Sequence, residues 1–362
     1  MDRIKNRQSN IELLRIITMI MIVAHHFALH VSVPSAESFG IGRIWMDLLL
    51  MGGKIGVDVF ILIMGYFSVT SQEYPSGKAI RIWLQLITYS LAALLISKIF
   101  FPWFINTKQV LRFVFPIIRE EGHWWFASTY FLLLLLSPFI NRLLVSLPKR
   151  AYKTMLILLG IIWVIIPTFT AQQFQRSGLL WFMAVYAFGG YIRLHAKKTR
   201  ITGPVYILLS VVVTILNLGF ASLCEALGRT SEFWADKVDY LYSEEKLTIV
   251  LISVFLFLGF LKTDLGKNRV INLIAAASFG VYLVHNNDLA KKVLWEAVSL
   301  RMTEVNGLML IPVSIGIIAA VYIASTAVEL FRIYVIEKRY ENGIAKLGIK
   351  INKSLDNGAQ ND

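Results

Sequence analysis

Between Ile11 and Val33 the chain is hydrophobic, yet Glu12, Arg15 and His26 interrupt the run. Ionisable side chains inside a bilayer cost several kcal/mol, so they mark function or a structural pairing. In a helix, about 100° and 1.5 Å per residue place Arg15 and His26 on one face, with the imidazole roughly 16 Å farther along. Glu12 lies within about 40° of His26 on that face, whereas His25 points about 100° away from it. Glu12 is also an i,i+3 neighbour of Arg15. A neutral imidazole at that depth can take a proton from a hydroxyl or thiol, and a nearby carboxylate or guanidinium can orient it or a substrate. The structural alternative is that Arg15 snorkels to the interface and pairs with Glu12, while His26 bonds to another helix.

Four further constellations carry polar chemistry. Gly52-Gly53-Lys54-Ile55-Gly56-Val57-Asp58-Val59-Phe60 precedes Gly65-Tyr66. Lys54 and Asp58, at i,i+4, are placed to neutralise each other, and Asp58 is alternatively placed to orient His26 as carboxylates orient catalytic imidazoles. Lys78 and Arg81 share a helix face suited to phosphate, although the same pair serves as ordinary positive flanking. His123-Trp124-Trp125-Phe126 opens another apolar run, with the Trp residues suited to interfacial anchoring and His123 to acceptor binding. Tyr282 and His285, at i,i+3 in Ser278-Phe279-Gly280-Val281-Tyr282-Leu283-Val284-His285, are placed to line one groove near the outer interface.

The elements that must hold these residues follow from composition. The 362 residues are 56% hydrophobic and 16% charged. That balance describes an integral membrane protein. The apolar segments have the length of spanning helices rather than barrel strands. They read as about ten spans, near 11–33, 44–70, 80–104, 124–146, 154–171, 177–194, 202–223, 245–261, 270–287 and 306–331. The fold class is therefore an all-α polytopic bundle. The first span reads as an anchor rather than a cleaved signal. Most of the 36 Lys and Arg fall in the loops that place both termini in the cytoplasm. Net charge of +13 is then topology rather than a nucleic-acid footprint. The single Cys224 excludes an intramolecular disulfide and a CxxC metal site, and no metal is expected. The 224–244 loop reads as a short interfacial helix or an acceptor-side lid. Residues 336–362 read as a basic polar tail, a surface helix with a disordered end.

Taken together, Glu12-Leu-Leu-Arg15 with His26, Gly56-Val57-Asp58-Val59-Phe60 with Gly65-Tyr66, Trp125-Phe126 leading to Pro138, and the 278–285 stretch resemble acyltransferase family 3. The likeness covers roughly residues 10–290. Met64, where the family usually carries Ser, and Trp83 to Gln85, which lack a usual Pro, depart from it. The resemblance implies a transmembrane acyltransferase domain over 1–335 that moves an acyl group, commonly acetyl, from cytoplasmic acetyl-CoA to a hydroxyl of a bacterial envelope or exopolysaccharide glycan. It implies catalytic roles for His26 and Arg15, with Glu12 and Asp58 beside them. Donor contacts fall to Arg15, Lys78 and Arg81, and acceptor contacts to His123, Trp125, Tyr282 and His285. No permanently bound cofactor is expected. The partners would be a glycan or lipid-linked sugar, acetyl-CoA and membrane lipid, and the place the cell membrane. Two mechanisms remain open, His26 as general base or as acyl carrier. The rival reading is a glycolipid transporter or flippase that uses the same buried polar residues.

Overall fold

The computed structural model describes residues 8–37, 39–114, 124–170, 172, 177–197 and 199–358, and every regular element among them is helical. Apolar surroundings demand this, because a helix satisfies its backbone hydrogen bonds within the segment. The chain runs through α1 (Ser9–His30), α2 (Ile41–Ser68), α3 (Ser76–Phe100), α4 (Thr107–Val114), α5 (Trp125–Ser146), α6 (Lys149–Thr170) and α7 (Gly178–His195). It continues with α8 (Gly203–Gly228), α9 (Leu247–Leu261), α10 (Arg269–His285), α11 (288–302), α12 (Leu310–Phe331) and α13 (Lys338–Gly358). Residues 332–337 join the last two as one wide helical turn.

Seven of these helices are long and apolar enough to cross a membrane: α1, α2, α3, α5, α6, α8, and α12 with its continuation into α13. The remaining segments read as spans are helical too, but shorter or more polar. α9 has 15 residues, α7 has 18 and ends on Arg193 and His195, and α10 changes direction at Ala277. The loop after α8 contains one helical turn, Glu232–Ala235.

α2 is the hub. Its apolar window is 78% buried, against 17% for α6 and 22% for α8, and α1, α7 and α9 pack on it. The outer helices turn large apolar side chains outward, as Leu208, Ile215, Leu216 and Leu223 do along α8. A hydrocarbon solvent favours that arrangement, where water would not. α2 and α7 cross at Gly65 and Gly189. A Cβ at Gly65 would run into the Tyr186 carbonyl, and one at Gly189 into that of Leu62. Small residues permit such backbone approach, which supplies packing energy where lipid removes the hydrophobic drive.

Buried polar groups are tied to one another. Asn141 donates to the Ser68 and Ser71 carbonyls at 2.7 and 2.6 Å and accepts from the Tyr186 hydroxyl at 2.7 Å. Arg332, 4% exposed, makes two 2.8 Å bonds to Glu329 and a 2.7 Å bond to Glu337. Glu329 also accepts from Gln85 at 2.9 Å and Tyr89 at 2.5 Å. The basic tail is more than a surface appendage. α13 packs along α3, with Ile344 buried, Gly348 set against Gly77, and Asn352 donating to the Tyr74 carbonyl at 2.8 Å.

Candidate active site

α1 and α10 lie side by side and run in the same direction, joined at both ends. At their starts Ser9 Oγ donates to Asn272 Oδ1 at 3.0 Å and accepts from the Asn268 backbone N–H at 2.7 Å. Toward their far ends His26 Nδ1 and His285 Nε2 are hydrogen-bonded at 2.9 Å. His26 is 6% exposed and His285 is 1% exposed. Around the His26 ring stand His30, stacked at 5.8 Å, His285 at 5.0 Å, His25 at 5.5 Å and Tyr282 at 6.1 Å.

The two adjacent histidines have different surroundings. His25 faces α2, where its Nδ1 donates to the Leu50 carbonyl at 2.7 Å. Its ring fills the space left by Gly53, where a Cβ would lie 2.5 Å from His25 Cβ. Gly56 opens the same face to Ile22 and the Thr18 carbonyl. The 100° step between neighbouring residues thus sends His25 into a packing contact and His26 toward α10.

His285 is itself held from two sides. Its Nδ1 lies 2.5 Å from the Val281 carbonyl oxygen, and its own carbonyl accepts from Trp295 Nε1 at 3.0 Å. Trp295 is fully buried and packs edge-on against Phe27, the residue after His26. α10 stops at this point because Asn286 leaves helical geometry and Asn287 caps α11 by accepting from the Ala290 N–H at 2.9 Å.

At the other end of α1, Arg15 Nη1 donates to Glu12 at 3.1 Å, and Glu12 is buried. Lys78 Nζ donates to the Tyr130 hydroxyl at 3.2 Å and sits 5.5 Å from that ring. From Tyr130 a column of rings leads to the histidines. Phe126 follows at 6.0 Å, Tyr282 at 5.4 Å from Phe126, and then His26. Phe279 flanks Tyr130 at 5.9 Å. The Lys78 ammonium stands at one end of this column and an imidazole pair at the other.

A family model of the acyltransferase domain matches residues 8–329. The chain belongs to acyltransferase family 3. No curated protein and no solved structure matches it. Membership makes this membrane protein an acyltransferase. The matched stretch ends at Glu329 in α12, so Arg332, Glu337 and Glu341 lie beyond it.

Several residues singled out from the sequence of this acyltransferase meet, and others do not. Glu12 with Arg15, Lys78 with Tyr130, and His26 with Tyr282 and His285 are brought together. The His285 side chain is buried against His26. Trp125 stands one ring farther from His26, tilted against Phe182 at 5.9 Å and edge-on to Phe126 at 6.3 Å. Arg81 pairs with Glu337 at 2.8 Å and Glu341 at 3.6 Å, so tail carboxylates meet this guanidinium. His123 lies outside the described residues.

Asp58 orients a different ring. It is 2% exposed and accepts from Trp181 Nε1 at 3.0 Å. Gly56 faces α1, and two residues of helix rotate about 200°, so Asp58 is turned toward α7. Nor is Lys54 its ion-pair partner. Lys54 reaches Glu244 at 3.1 Å in the loop before α9. The i,i+4 spacing allows the Lys54–Asp58 pair, but Lys54 reaches a loop carboxylate and Asp58 an indole N–H.

The bond joining His26 and His285 spans 259 positions, and Tyr130 escapes a search based on charge. The available signals were Tyr282 and His285 on one face of α10, and the i,i+4 repeat of Phe126 and Tyr130 on α5.

Proposed function

We propose that this chain is an O-acetyltransferase that carries acetyl from acetyl-CoA to a hydroxyl of a bacterial envelope glycan, with His26 at the reacting atoms. The observation that supports this most is the placement of His26. It is buried and hydrogen-bonded, and it stands at the end of an aromatic column whose other end holds Lys78. In this reading the cationic end faces the cytoplasm. Arg15 and Lys78 meet the CoA phosphates there, Arg81 stands beside them, and the pantetheine arm follows Tyr130, Phe126 and Tyr282 inward. Guanidinium and ammonium groups recognise phosphate by charge and by multiple N–H donors.

At His26 the acceptor hydroxyl loses its proton to the imidazole as its oxygen attacks the thioester carbonyl. The carbon–oxygen bond forms, the carbon–sulfur bond breaks, and the proton passes to the departing CoA thiolate. The choice of acetyl as the acyl group follows the family resemblance. The glycan acceptor and the cell-membrane location rest on family resemblance.

The test is CoA-thiol release from acetyl-CoA by the protein in lipid nanodiscs supplied with envelope glycan. His26→Ala is expected to lose about 10²- to 10⁴-fold in turnover, the range for a positioned acid–base group. His25→Ala is expected to keep turnover, because that ring serves α1–α2 packing. Normal turnover by well-folded His26→Ala refutes the assignment.

A further inference from the structure

We propose that His285 is a positioning residue, which fixes His26 with its proton on Nδ1 and its lone pair on Nε2. The proposal builds on the reading of His26 as the reacting base and adds the group that presents it.

The hydrogen-bond chain has a direction set at one end. A backbone carbonyl only accepts, so the 2.5 Å contact to the Val281 oxygen requires the hydrogen on His285 Nδ1. A neutral imidazole carries one N–H, which leaves His285 Nε2 as an acceptor. Its neighbour at 2.9 Å, His26 Nδ1, must then be the donor. His26 Nε2 remains as the unprotonated nitrogen. The opposite polarity requires a cationic His285. That would bury a charge on a residue that is 1% exposed, and unpaired buried charge is strongly disfavoured.

Position is fixed as firmly as polarity. Trp295 holds the His285 carbonyl at 3.0 Å and packs against Phe27 at 6.5 Å, so it ties α11 to His285 and to the residue after His26. Tyr282 stands edge-on to His285 at 6.2 Å and closes the side toward the aromatic column. The role given to a carboxylate in a Ser-His-Asp triad is to hold the imidazole tautomer and orientation. A second imidazole with a carbonyl behind it can do the same. Proton accounting is unchanged. Nε2 of His26 receives the hydroxyl proton and returns it to the CoA thiolate, while the Nδ1 hydrogen stays in its bond to His285.

The experiment has two readouts on the full-length protein in nanodiscs. With ¹⁵N-labelled histidine, solid-state NMR of the resting protein, with His26 assigned by loss of its signals in His26→Ala, should give a protonated Nδ1 and an unprotonated Nε2. A protonated His26 Nε2 overturns the proposal. Kinetics compare His285→Leu, which fills space without an acceptor, with His285→Gln, whose amide oxygen can still accept. His285→Leu should lower kcat about 10²- to 10³-fold, part of the loss seen when a triad imidazole loses its orienting partner, with KM for acetyl-CoA unchanged. His285→Gln should recover at least tenfold of that loss. Equal loss in both variants, or kcat preserved in well-folded His285→Leu, overturns the proposal. Activity in His26→Ala would instead remove the base assignment, while the nitrogen signals would still report the bond.

Discussion

Gly53→Ala tests whether the geometry of the histidines depends on how closely α1 and α2 approach. The added Cβ would lie 2.5 Å from His25 Cβ, with Cγ closer still. Carbon atoms pack at about 3.5–4.0 Å. Because His25 Cβ is fixed by the backbone, no rotamer change clears it, and the helices must part or rotate by roughly 1 Å. Overpacking of this kind costs about 1–3 kcal/mol. His26 is the next residue, and its bond to His285 has little tolerance for such a shift. A misplacement near 1 Å can reduce turnover about 10²-fold. Thiol release and thermal unfolding in nanodiscs would measure the two effects. Gly219→Ala and Gly316→Ala are the controls, because nothing lies within 4 Å of a Cβ at either position. The double variant Gly53→Ala/His25→Gly removes the collision and should regain most of the turnover, though glycine costs about 1 kcal/mol in a helix. Full activity and an unchanged melting temperature for Gly53→Ala would refute the reasoning. So would a double variant no better than Gly53→Ala alone.

Two other substitutions probe groups outside the histidine pair. Trp181→Phe removes the donor to Asp58 Oδ1 and should lower stability by about 1–3 kcal/mol, the usual cost of leaving a buried polar group without its bond. Turnover per folded molecule should hold, and a selective loss of turnover at normal stability would return Asp58 to the chemistry. Glu329→Gln leaves Arg332 facing one carboxylate instead of two. Breaking a buried ion pair costs about 3–5 kcal/mol, and the low end is expected because Glu337 remains 2.7 Å from Arg332. Thermal unfolding followed by size-exclusion chromatography reads this loss, and unchanged unfolding would contradict it.

The helices were legible in the sequence because apolar run length alone commits a segment to helix in a bilayer. Their limits moved by a few residues, as at α1, where 11–33 becomes Ser9–His30. The difference between His25 and His26 was legible as well, since one helical step decides which way each ring faces. Partner choice was harder to read. Local spacing offered Lys54 to Asp58, yet Glu244 and Trp181 took them, because a side chain near the end of its reach bonds to whatever the tertiary fold places there. Arg81 looked like a free cation until the 332–337 turn brought Glu337 and α13 brought Glu341 to it. His285 ends an apolar helix, and the parallel run of α1 and α10 sets it against His26.

A histidine supported by a histidine also has an electrical consequence. A carboxylate partner would leave a net negative charge in the membrane interior between turnovers, at a penalty of several kcal/mol for the buried ion. Two neutral imidazoles leave no formal charge there at rest. In the proposed reaction the interior becomes polarised only while the proton resides on His26, after both substrates have arrived. An anionic donor or acceptor therefore approaches without opposition from a fixed negative charge at the reacting atoms.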